Sequence, residues 1–466
     1  MKCRLLLALF GWVPIWGFAE VLDVSDRLEL FVDDRLVERM EGVIFFLHAP
    51  RAEPMSADSA LPALYTTVIL DNGLYRAYYR DYQSDYEGER YDGNPGETYA
   101  YAESDDGIHW RFPDLGLTSV QGTNGNNVIL TQDTDGRCHN FSPFLDRNPR
   151  ADPAQRFKAV AGVHPTGGLY AYASADGIHW NRIQEDPILT MDDFAFDSHN
   201  VAFWCVEEGQ YVCYFRTWDS QHGSLRTISR SYSEDFIHWS EPVSLDPNRP
   251  GEHLYTSNTQ PYFRAPHILI ALPTRFMPDR GNSTDILFMA KRAGDLNYTR
   301  LFHEAFIRPG RNSSHWGNRA NYVALNVVPT GFDEMSFYHR NGNRYTLRTD
   351  GFISLRAGAE AGFWKSRPLT FTGNALEINF STSAAGRLRI DVIDASPAAT
   401  NGELLAQSEW ITGDAIDQTV SWAEAPDLSS IAGKPVRLRV HMTEADLFSF
   451  RFRSMESETR AGSISR

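Results

Sequence analysis

The chain has 466 residues, 13% of them aromatic, and carries a formal net charge of −16 at neutral pH. This excess of acidic residues argues against nucleic acid and against an anionic membrane surface as partners. The length allows a large core and predicts two or three domains, and hydrophobic patterns with helical spacing are scarce.

Residues 1–19 have the features of a secretory signal peptide. Lys2 and Arg4 precede an apolar run, and small residues occupy positions 17–19, where a signal peptidase would cleave. The apolar run is too short to span a bilayer, and no later stretch approaches transmembrane length. We therefore expect a soluble, exported protein, secreted or periplasmic, with no membrane span.

Three cysteines follow the signal segment. Cys205 and Cys213 flank a predicted hairpin turn at 208–209, so they either form a disulfide in an oxidising compartment or stay as buried free thiols, which we favour. With Cys138 they do not have the spacing of a metal site. We expect neither a metal nor another cofactor.

Residues 104–110 read Ser-Asp-Asp-Gly-Ile-His-Trp and are the first copy of a repeated motif. Closely similar copies occupy 174–180 and 233–239, and a degenerate copy ends at Tyr298, so the closing aromatic residues are 59 to 70 residues apart. Asp-Gly is a turn signal, and the alternation that follows it is typical of a strand. A β-rich repeat of this length predicts the four-stranded blade of a propeller.

Five such blades fill residues 60–350, with first strands that begin near 65, 139, 197, 258 and 319. Residues 28–34 alternate like a strand and are a candidate to seal the ring. We predict an all-β protein: a five-bladed β-propeller over 20–350, a β-sandwich over 351–453 and a disordered polar tail over 454–466.

In a propeller, the residues just before each first strand and just after each second strand converge on one mouth of the central channel. Carboxylates, amides, imidazoles and guanidinium groups there suit a sugar with many hydroxyls. The residues before first strands are Asp58, His139, Asn140, Asp197, His199, Asn200, Glu252, His253, Asn258, Gln260, Arg319 and Asn321. The second strands add Arg80, Asp81, Arg216, Asp219 and Arg275, and Trp316 lies ahead of the fifth blade, where it would stack on a sugar or simply pack.

This plan resembles the five-bladed propeller glycosidases of families 32 and 43. Residues 196–200, 255–264 and 351–356 are similar to a group of exported bacterial proteins described as family-32-like. The resemblance implies three working acids, one each at the start of the first blade, in the third blade and further on. Asp197 matches the second and Glu252 the third, whereas the Trp-x-Asn-Asp-Pro-Asn-Gly motif of the first is missing, which leaves Asp58 or Asp81.

We therefore expect an exported glycoside hydrolase, in which one acid protonates the glycosidic oxygen while another is nucleophile or base. The alternatives are a glycan-binding propeller without catalysis and a sialidase-like hydrolase of acidic sugars. Asp197 and Glu252 also have a plain interpretation, as a strand-end acid and a solvated loop acid. The substrate is an oligo- or polysaccharide, and it is anionic if Arg80, Arg216 and Arg275 are not neutralised by nearby acids.

Overall fold

The structure is a computed structural model that describes residues 20–56, 60–62, 64–120, 122–132, 136–219, 224–397, 402–424 and 427–455. The protein is all-β, and its 3-10 helices are single turns at Pro153–Gln155, His164–Thr166, Pro278–Arg280 and Ser313–Trp316. No helix among the described residues is long and apolar enough to cross a membrane.

Five short strands open the described chain. They are β1 (Leu22–Ser25), β2 (Glu29–Leu30), β3 (Val37–Glu41), β4 (Val43–Leu47) and β5 (Arg51–Pro54).

Three four-stranded antiparallel sheets follow, each built from consecutive strands. The first has β6 (Thr67–Asp71), β7 (Leu74–Tyr82), β8 (Glu97–Ser104) and β9 (Val128–Thr131). The second has β10 (Ser142–Leu145), β11 (Phe157–Val163), β12 (Gly168–Ser174) and β13 (Asn181–Arg182). The third has β14 (Val201–Cys205), β15 (Gln210–Asp219), β16 (Leu225–Ser233) and β17 (Val243–Ser244).

The fourth region is divided into two three-stranded sheets. Its strands are β18 (His253–Leu254), β19 (Gln260–Tyr262), β20 (Ala265–Ala271), β21 (Thr274–Met277), β22 (Ser283–Ile286) and β23 (Met289–Arg292). One sheet has the order β18-β21-β22 and the other β19-β20-β23. Pro273, which has no N–H to donate, separates β20 from β21.

The fifth region contributes β24 (Val328–Pro329), β25 (Glu334–His339) and β26 (Asn343–Arg348). Its fourth strand comes from the start of the chain, because β5 pairs antiparallel with β26, Arg51 opposite Thr346 and Pro54 opposite Asn343.

The first strands of these regions contact one another in a closed cycle. β6 contacts β10 and β24, β10 contacts β14, and β14 contacts β19. Between the fourth and fifth regions, Gln260 Oε1 accepts a hydrogen bond from the Val327 N–H at 2.6 Å. Thr67 and Leu325 form a parallel bridge, so β6 runs in the same direction as the segment leading into β24.

The remaining strands form an 11-stranded sheet together with β1 to β4. They are β27 (Ile353–Ala357), β28 (Gly362–Ser366), β29 (Leu369–Phe371), β30 (Ala375–Asp394), β31 (Leu404–Gln407), β32 (Asp414–Thr419) and β33 (Val436–Arg453). β30 and β33 pair along most of their length, with breaks in register near Asn379 and Thr382. The core of this sheet includes Phe31, Trp364 and Phe450.

Two expectations about the chain ends change. The prediction that residues 28–34 seal the ring is wrong, because Glu29 and Leu30 pair with Phe450 and Ser449 of β33, and β5 completes the fifth region instead. Residues 22–47 were also counted with the first domain, yet all four of their strands belong to the 11-stranded sheet. The predicted tail at 454–466 lies outside the described residues from 456 onwards.

The repeated motif forms the predicted turn in each of its three good copies. In the second copy Asp176 Oδ1 accepts the backbone N–H groups of Ile178 and His179, both at 2.9 Å, and Oδ2 lies 2.7 Å from His179 Nδ1. Asp106 and Asp235 make the same set of bonds.

The closing tryptophans pack between neighbouring sheets, as the repeat predicts. The Trp110 ring lies 5.5 Å from that of Tyr338 in the fifth region, and the Trp180 ring lies 6.1 Å from that of Tyr78 in the first sheet. Trp239 packs on Phe236, whose ring contacts Phe144 of the second sheet.

Cys138, Cys205 and Cys213 are buried and not disulfide-bonded, so the favoured interpretation of Cys205 and Cys213 as buried thiols is confirmed. Burial raises the pKa of Cys205 to about 11 and that of Cys213 further. Both thiols therefore stay protonated at neutral pH and act as small apolar side chains.

Candidate functional site

Residues with positive φ lead into the first strands of all five regions. Tyr65, Asn140, Phe196, Asn258 and Arg319 have φ between 46° and 66°. Asparagine tolerates the left-handed region, but tyrosine, phenylalanine and arginine adopt it only where the surrounding structure enforces it. Such strained positions cluster at functional sites, which marks this end of the first strands as the candidate site.

Aromatic and guanidinium groups meet at this end of the strands in what we call the arginine–tyrosine cluster: Tyr65, Arg216, Arg226, Tyr255 and Tyr322. The ring of Tyr322 lies 5.5 Å from that of Tyr65 and 6.2 Å from that of Tyr255. The guanidinium carbons of Arg216 and Arg226 lie 5.5 and 4.7 Å from the centre of the Tyr255 ring. The sequence analysis missed all three tyrosines, because tyrosines in a β-rich chain are usually interpreted as residues of the hydrophobic core.

The charged groups of the cluster are largely buried, and one of its two arginines is paired with an acid. Burial and the neighbouring charge of Arg226 lower the pKa of Arg216 to about 10, which still leaves it charged at neutral pH. Burial also lowers the pKa of Arg226 and raises that of Tyr322 well above its ordinary value. The cluster therefore combines two guanidinium groups with a neutral phenol. Because Arg80, Arg216 and Arg275 are each paired with an acid, they do not meet the condition set for an anionic substrate.

Asp197 is the predicted catalytic acid that lies in contact with this cluster. It forms a salt bridge to Arg216, and its side chain is 13% exposed against 3% for Arg216. The turn that presents it is held by two buried amides, because Asn140 Nδ2 and Asn200 Nδ2 both donate to the Phe196 carbonyl oxygen, at 3.2 and 3.0 Å. Asp197 is thus a carboxylate on a rigid, strained turn, paired with a buried arginine.

A second set of buried charges lies behind Tyr65. Arg80 Nη2 donates to Asn140 Oδ1 at 2.5 Å, and its guanidinium carbon sits 4.3 Å from the centre of the Tyr65 ring. Arg80 also pairs with Glu97 at 3.6 Å, and His139 Nδ1 lies 2.6 Å from Glu97 Oε2. Arg80 and His139 were predicted, whereas Glu97 was missed, although a glutamate that opens a strand of tyrosines and alanines was a signal for it.

The pKa values of Glu97 and His139 show which members of this buried set are charged. Burial opposes ionisation of Glu97, but the hydrogen bond from His139 and the charge of Arg80 outweigh it and hold the pKa of Glu97 below its ordinary value. Burial and the charge of Arg80 lower the pKa of His139. Arg80 and Glu97 thus neutralise each other, with His139 neutral beside them, and together they support Tyr65 from behind.

Glu252 and Arg275 are held in ion pairs. Glu252 accepts hydrogen bonds from Arg300 Nη1 at 2.7 Å and Nη2 at 3.1 Å and from the Arg249 N–H at 3.0 Å, and its side chain is 4% exposed. Arg275 donates to both oxygens of Asp285, at 2.8 and 2.5 Å. This geometry supports structural roles for both residues, rather than proton donation by Glu252 or anion binding by Arg275.

The other predicted carboxylates stand apart from the cluster. Asp81 is exposed, and because side chains alternate along β7 it points to the face opposite Arg80, where its Oδ1 accepts the Tyr82 N–H at 2.8 Å. Asp58 lies outside the described residues. Asp219 ends β15, but its side chain also falls outside the description.

Several predicted binding residues instead fix the first strands. Gln260 bonds to the Val327 N–H, and Asn321 Nδ2 donates to the carbonyl oxygens of Thr284 and His315, both at 2.7 Å. His199 Nε2 lies 3.4 Å from Thr67 Oγ1, and burial lowers its pKa to about 3, so this imidazole is neutral. Arg319, in contrast, is exposed at the edge of the cluster.

Two of the cavities outside the cluster are large enough for a ligand. A cavity of about 630 Å³ opens at the far ends of the same first strands, with a mostly apolar lining that includes Val68, Phe203 and Val327. A cleft of about 570 Å³ contains Trp316, which is 50% exposed. Among the described residues no group of three or more His, Cys, Asp or Glu side chains is arranged to hold a metal ion.

No protein-family model matches the chain, and no curated protein matches it. Among solved structures it is similar to a thermostable family-43 glycoside hydrolase, with 11% identity, a TM-score of 0.42 and coverage of 66% of this chain and 92% of that one. It is also similar to the Bombyx mori GH32 β-fructofuranosidase, with 10% identity, a TM-score of 0.38 and coverage of 87% and 94%.

A third similar structure is an N-acetylgalactosamine deacetylase from F. plautii in complex with blood group B trisaccharide, with 12% identity, a TM-score of 0.40 and coverage of 86% and 95%. The glycoside hydrolases among these neighbours agree with the resemblance noted in the sequence. At these identities and TM-scores, however, the likeness carries no argument about the activity of this chain.

Proposed function

We propose that the five regions from β6 to β26 are the blades of a β-propeller and that the 11-stranded sheet folds into a β-sandwich. The closed cycle of contacts among β6, β10, β14, β19 and β24 supports the ring. Addition of β5 to the outer edge of the fifth region supports its closure, since a strand from the other end of the chain then pairs within the last blade.

We further propose that the protein is an exported glycoside hydrolase that works at the arginine–tyrosine cluster, with Asp197 as the carboxylate facing the scissile bond. The observation that carries this proposal is the contact of Asp197 with Arg216 on a strained turn. A carboxylate beside a cation can stabilise, or attack, the positive charge that develops at the anomeric carbon. It is poorly suited to donate a proton, so the acid must be another residue.

The proton donor in this proposal comes from the segments around the cluster. Asp58 stays a candidate from the sequence. Glu252 is no longer favoured as the proton donor, because its carboxylate forms ion pairs with two arginines.

The test is release of reducing ends from matched anionic and neutral oligosaccharides by wild type, Asp197→Asn and Asp81→Asn. We expect Asp197→Asn to lower turnover by about 10²-fold or more, the scale for a group acting in the transition state. Asp81→Asn, which changes an exposed carboxylate on the opposite face of β7, should keep full activity. Full activity in a folded Asp197→Asn protein, checked by thermal denaturation, would remove Asp197 from the mechanism.

A second candidate function is glycan binding without cleavage. It is favoured by one specific observation, namely that Glu252, the predicted proton donor, is held by Arg300 and Arg275. Isothermal titration with the same oligosaccharides separates the two candidates. Binding with no release of reducing ends, in wild type as well as in Asp197→Asn, would support this second function and overturn the first.

A further inference from the structure

We propose that the cleft at Trp316 is a second, separate binding site for an anionic sugar. We call it the Trp316 cleft. Its volume of about 570 Å³ falls within the range of about 300 to 1,000 Å³ that is usual for ligand sites. The lining residues used in the argument are Arg275, Arg280, Asp285, Glu304, Arg308 and Trp316.

The indole of Trp316 is held rigidly although it is half exposed. Trp316 ends a 3-10 turn whose first residue is capped by Asn312, and its Nε1 donates to the Gly310 carbonyl oxygen at 2.8 Å. Asn321 Nδ2 donates to the His315 carbonyl oxygen at 2.7 Å and ties the turn to the start of the fifth region. An exposed aromatic face that is already fixed loses little entropy when a sugar ring stacks on it.

The charges around the cleft leave it with a positive excess. Arg275 and Asp285 neutralise each other through two hydrogen bonds. Within the described parts of the chain, Arg280 and Arg308 have no ion-pair partner, and Glu304 accepts a hydrogen bond from the His303 N–H. Three arginines against two carboxylates leave one uncompensated positive charge, in a protein of net charge −16. The ligand chemistry that fits is a sugar ring bearing one carboxylate or sulfate group.

The cleft is separated from the arginine–tyrosine cluster by β21. Phe276 faces the cluster, where its ring lies 5.0 Å from that of Tyr255 and 5.5 Å from the guanidinium carbon of Arg226. Its neighbours Arg275 and Met277 point to the other face of the strand and line the cleft. Occupation of the cleft therefore does not depend on the proposed cleavage at Asp197, and it would hold a polymeric substrate beside the reaction site.

Isothermal titration tests the site with three tetrasaccharides: a sulfated galactan, a galacturonate and an unsubstituted galactan. We expect the wild type to bind one or both anionic probes and to bind the neutral one at least tenfold more weakly. Trp316→Ala should weaken anionic binding at least tenfold. Arg280→Met combined with Arg308→Met should remove the preference for charge. The sulfated and uronic arms identify which anion is recognised.

The matched control is Trp410→Ala, because Trp410 is also exposed, at 42%, but its ring is covered by Arg387 at 4.2 Å. It should bind as the wild type does. Titrations on the Asp197→Asn background keep the two proposals distinguishable, since loss of cleavage there should leave binding in the cleft intact. Unchanged affinity in folded Trp316→Ala, equal affinity for neutral and anionic probes, or no binding of any probe by the wild type would overturn the proposal.

Discussion

Arg300 donates two hydrogen bonds to Glu252, from Nη1 to Oε2 at 2.7 Å and from Nη2 to Oε1 at 3.1 Å. Both side chains are buried, with 7% and 4% of their surface exposed. Removal of one partner from such a pair leaves the other charge without compensation in a medium of low dielectric constant. The pair therefore links the segment before the fourth region to the segment that follows β23.

We predict that Glu252→Gln lowers the free energy of unfolding by about 3 kcal/mol or more, because Arg300 keeps its charge and loses its counter-ion. Urea denaturation followed by circular dichroism measures the change. Glu185→Gln is the control, since Glu185 pairs with Arg182 at 3.1 Å but is 88% exposed, so we expect a loss within about 1 kcal/mol. Similar stabilities for the two variants would contradict a structural role for Glu252.

A second prediction concerns the glycine of the repeated turn. Gly177 has φ +79°, and a Cβ added there would lie 2.6 Å from the Tyr78 hydroxyl oxygen and 3.4 Å from the ring of Phe157. Gly177→Ala should therefore lower the free energy of unfolding for two reasons. Alanine is strained in the left-handed region, and its Cβ would force the Tyr78 side chain to move. Gly209, with φ +63° and no atom within 4 Å of an added Cβ, isolates the first effect.

We expect Gly209→Ala to cost about 1 to 2 kcal/mol and Gly177→Ala clearly more, as measured by thermal and urea denaturation. Equal losses would mean that Tyr78 moves away freely and that the turn is not packed against the neighbouring sheet.

A third prediction concerns the pH dependence of stability at Lys291. Burial and the charge of Arg230 lower the pKa of Lys291 to about 8. The folded state therefore releases this proton more readily than the unfolded state, whose lysine titrates near pH ~10.4. Burial of the protonated Lys291 therefore lowers the free energy of unfolding by its full amount below pH 8. This penalty disappears as the pH rises from about 8 to ~10.4.

Lys291→Met should accordingly raise stability at pH 7, by at most about 3 kcal/mol for the shift alone. The lost contacts with the rings of Tyr214 and Tyr298 reduce this gain. The advantage over wild type should shrink above pH 8, whereas the exposed control Lys434→Met should show no such trend. A constant difference between Lys291→Met and wild type from pH 7 to 10 would refute the coupling.

The sequence predicted those parts of the fold that short-range contacts encode. The turn at Asp176 is recognisable because its hydrogen bonds join residues two and three apart in the chain. The strand that completes the fifth region was not predictable in this way. Residues 29–30 and 51–54 both form short strands, and only pairing with strands about 300 to 400 residues further on assigns each to its sheet.

In the candidate site, too, the sequence predicted some residues and missed others. Asp197, Asn140 and Arg216 were predicted because local patterns place each of them at the end of a predicted strand, although Arg216 lies within β15 in the structure. Tyr65, Tyr255 and Tyr322 come from three separate regions. Their contacts with one another and with the arginines form only in the folded protein, so no local sequence pattern predicts them. The ion pair of Glu252 was hidden for a related reason, since its partner is 48 residues further along the chain.

The pairing of β5 with β26, and of β2 with β33, sets the order in which the protein reaches its native state. During synthesis the segment at 51–54 has no partner until residue 346 has left the ribosome, and the segment at 29–30 waits until residue 450. Contacts between such distant segments are slow to form, because a long loop must close before any of them contributes stability. The chain therefore finishes folding only after nearly all of it has been made.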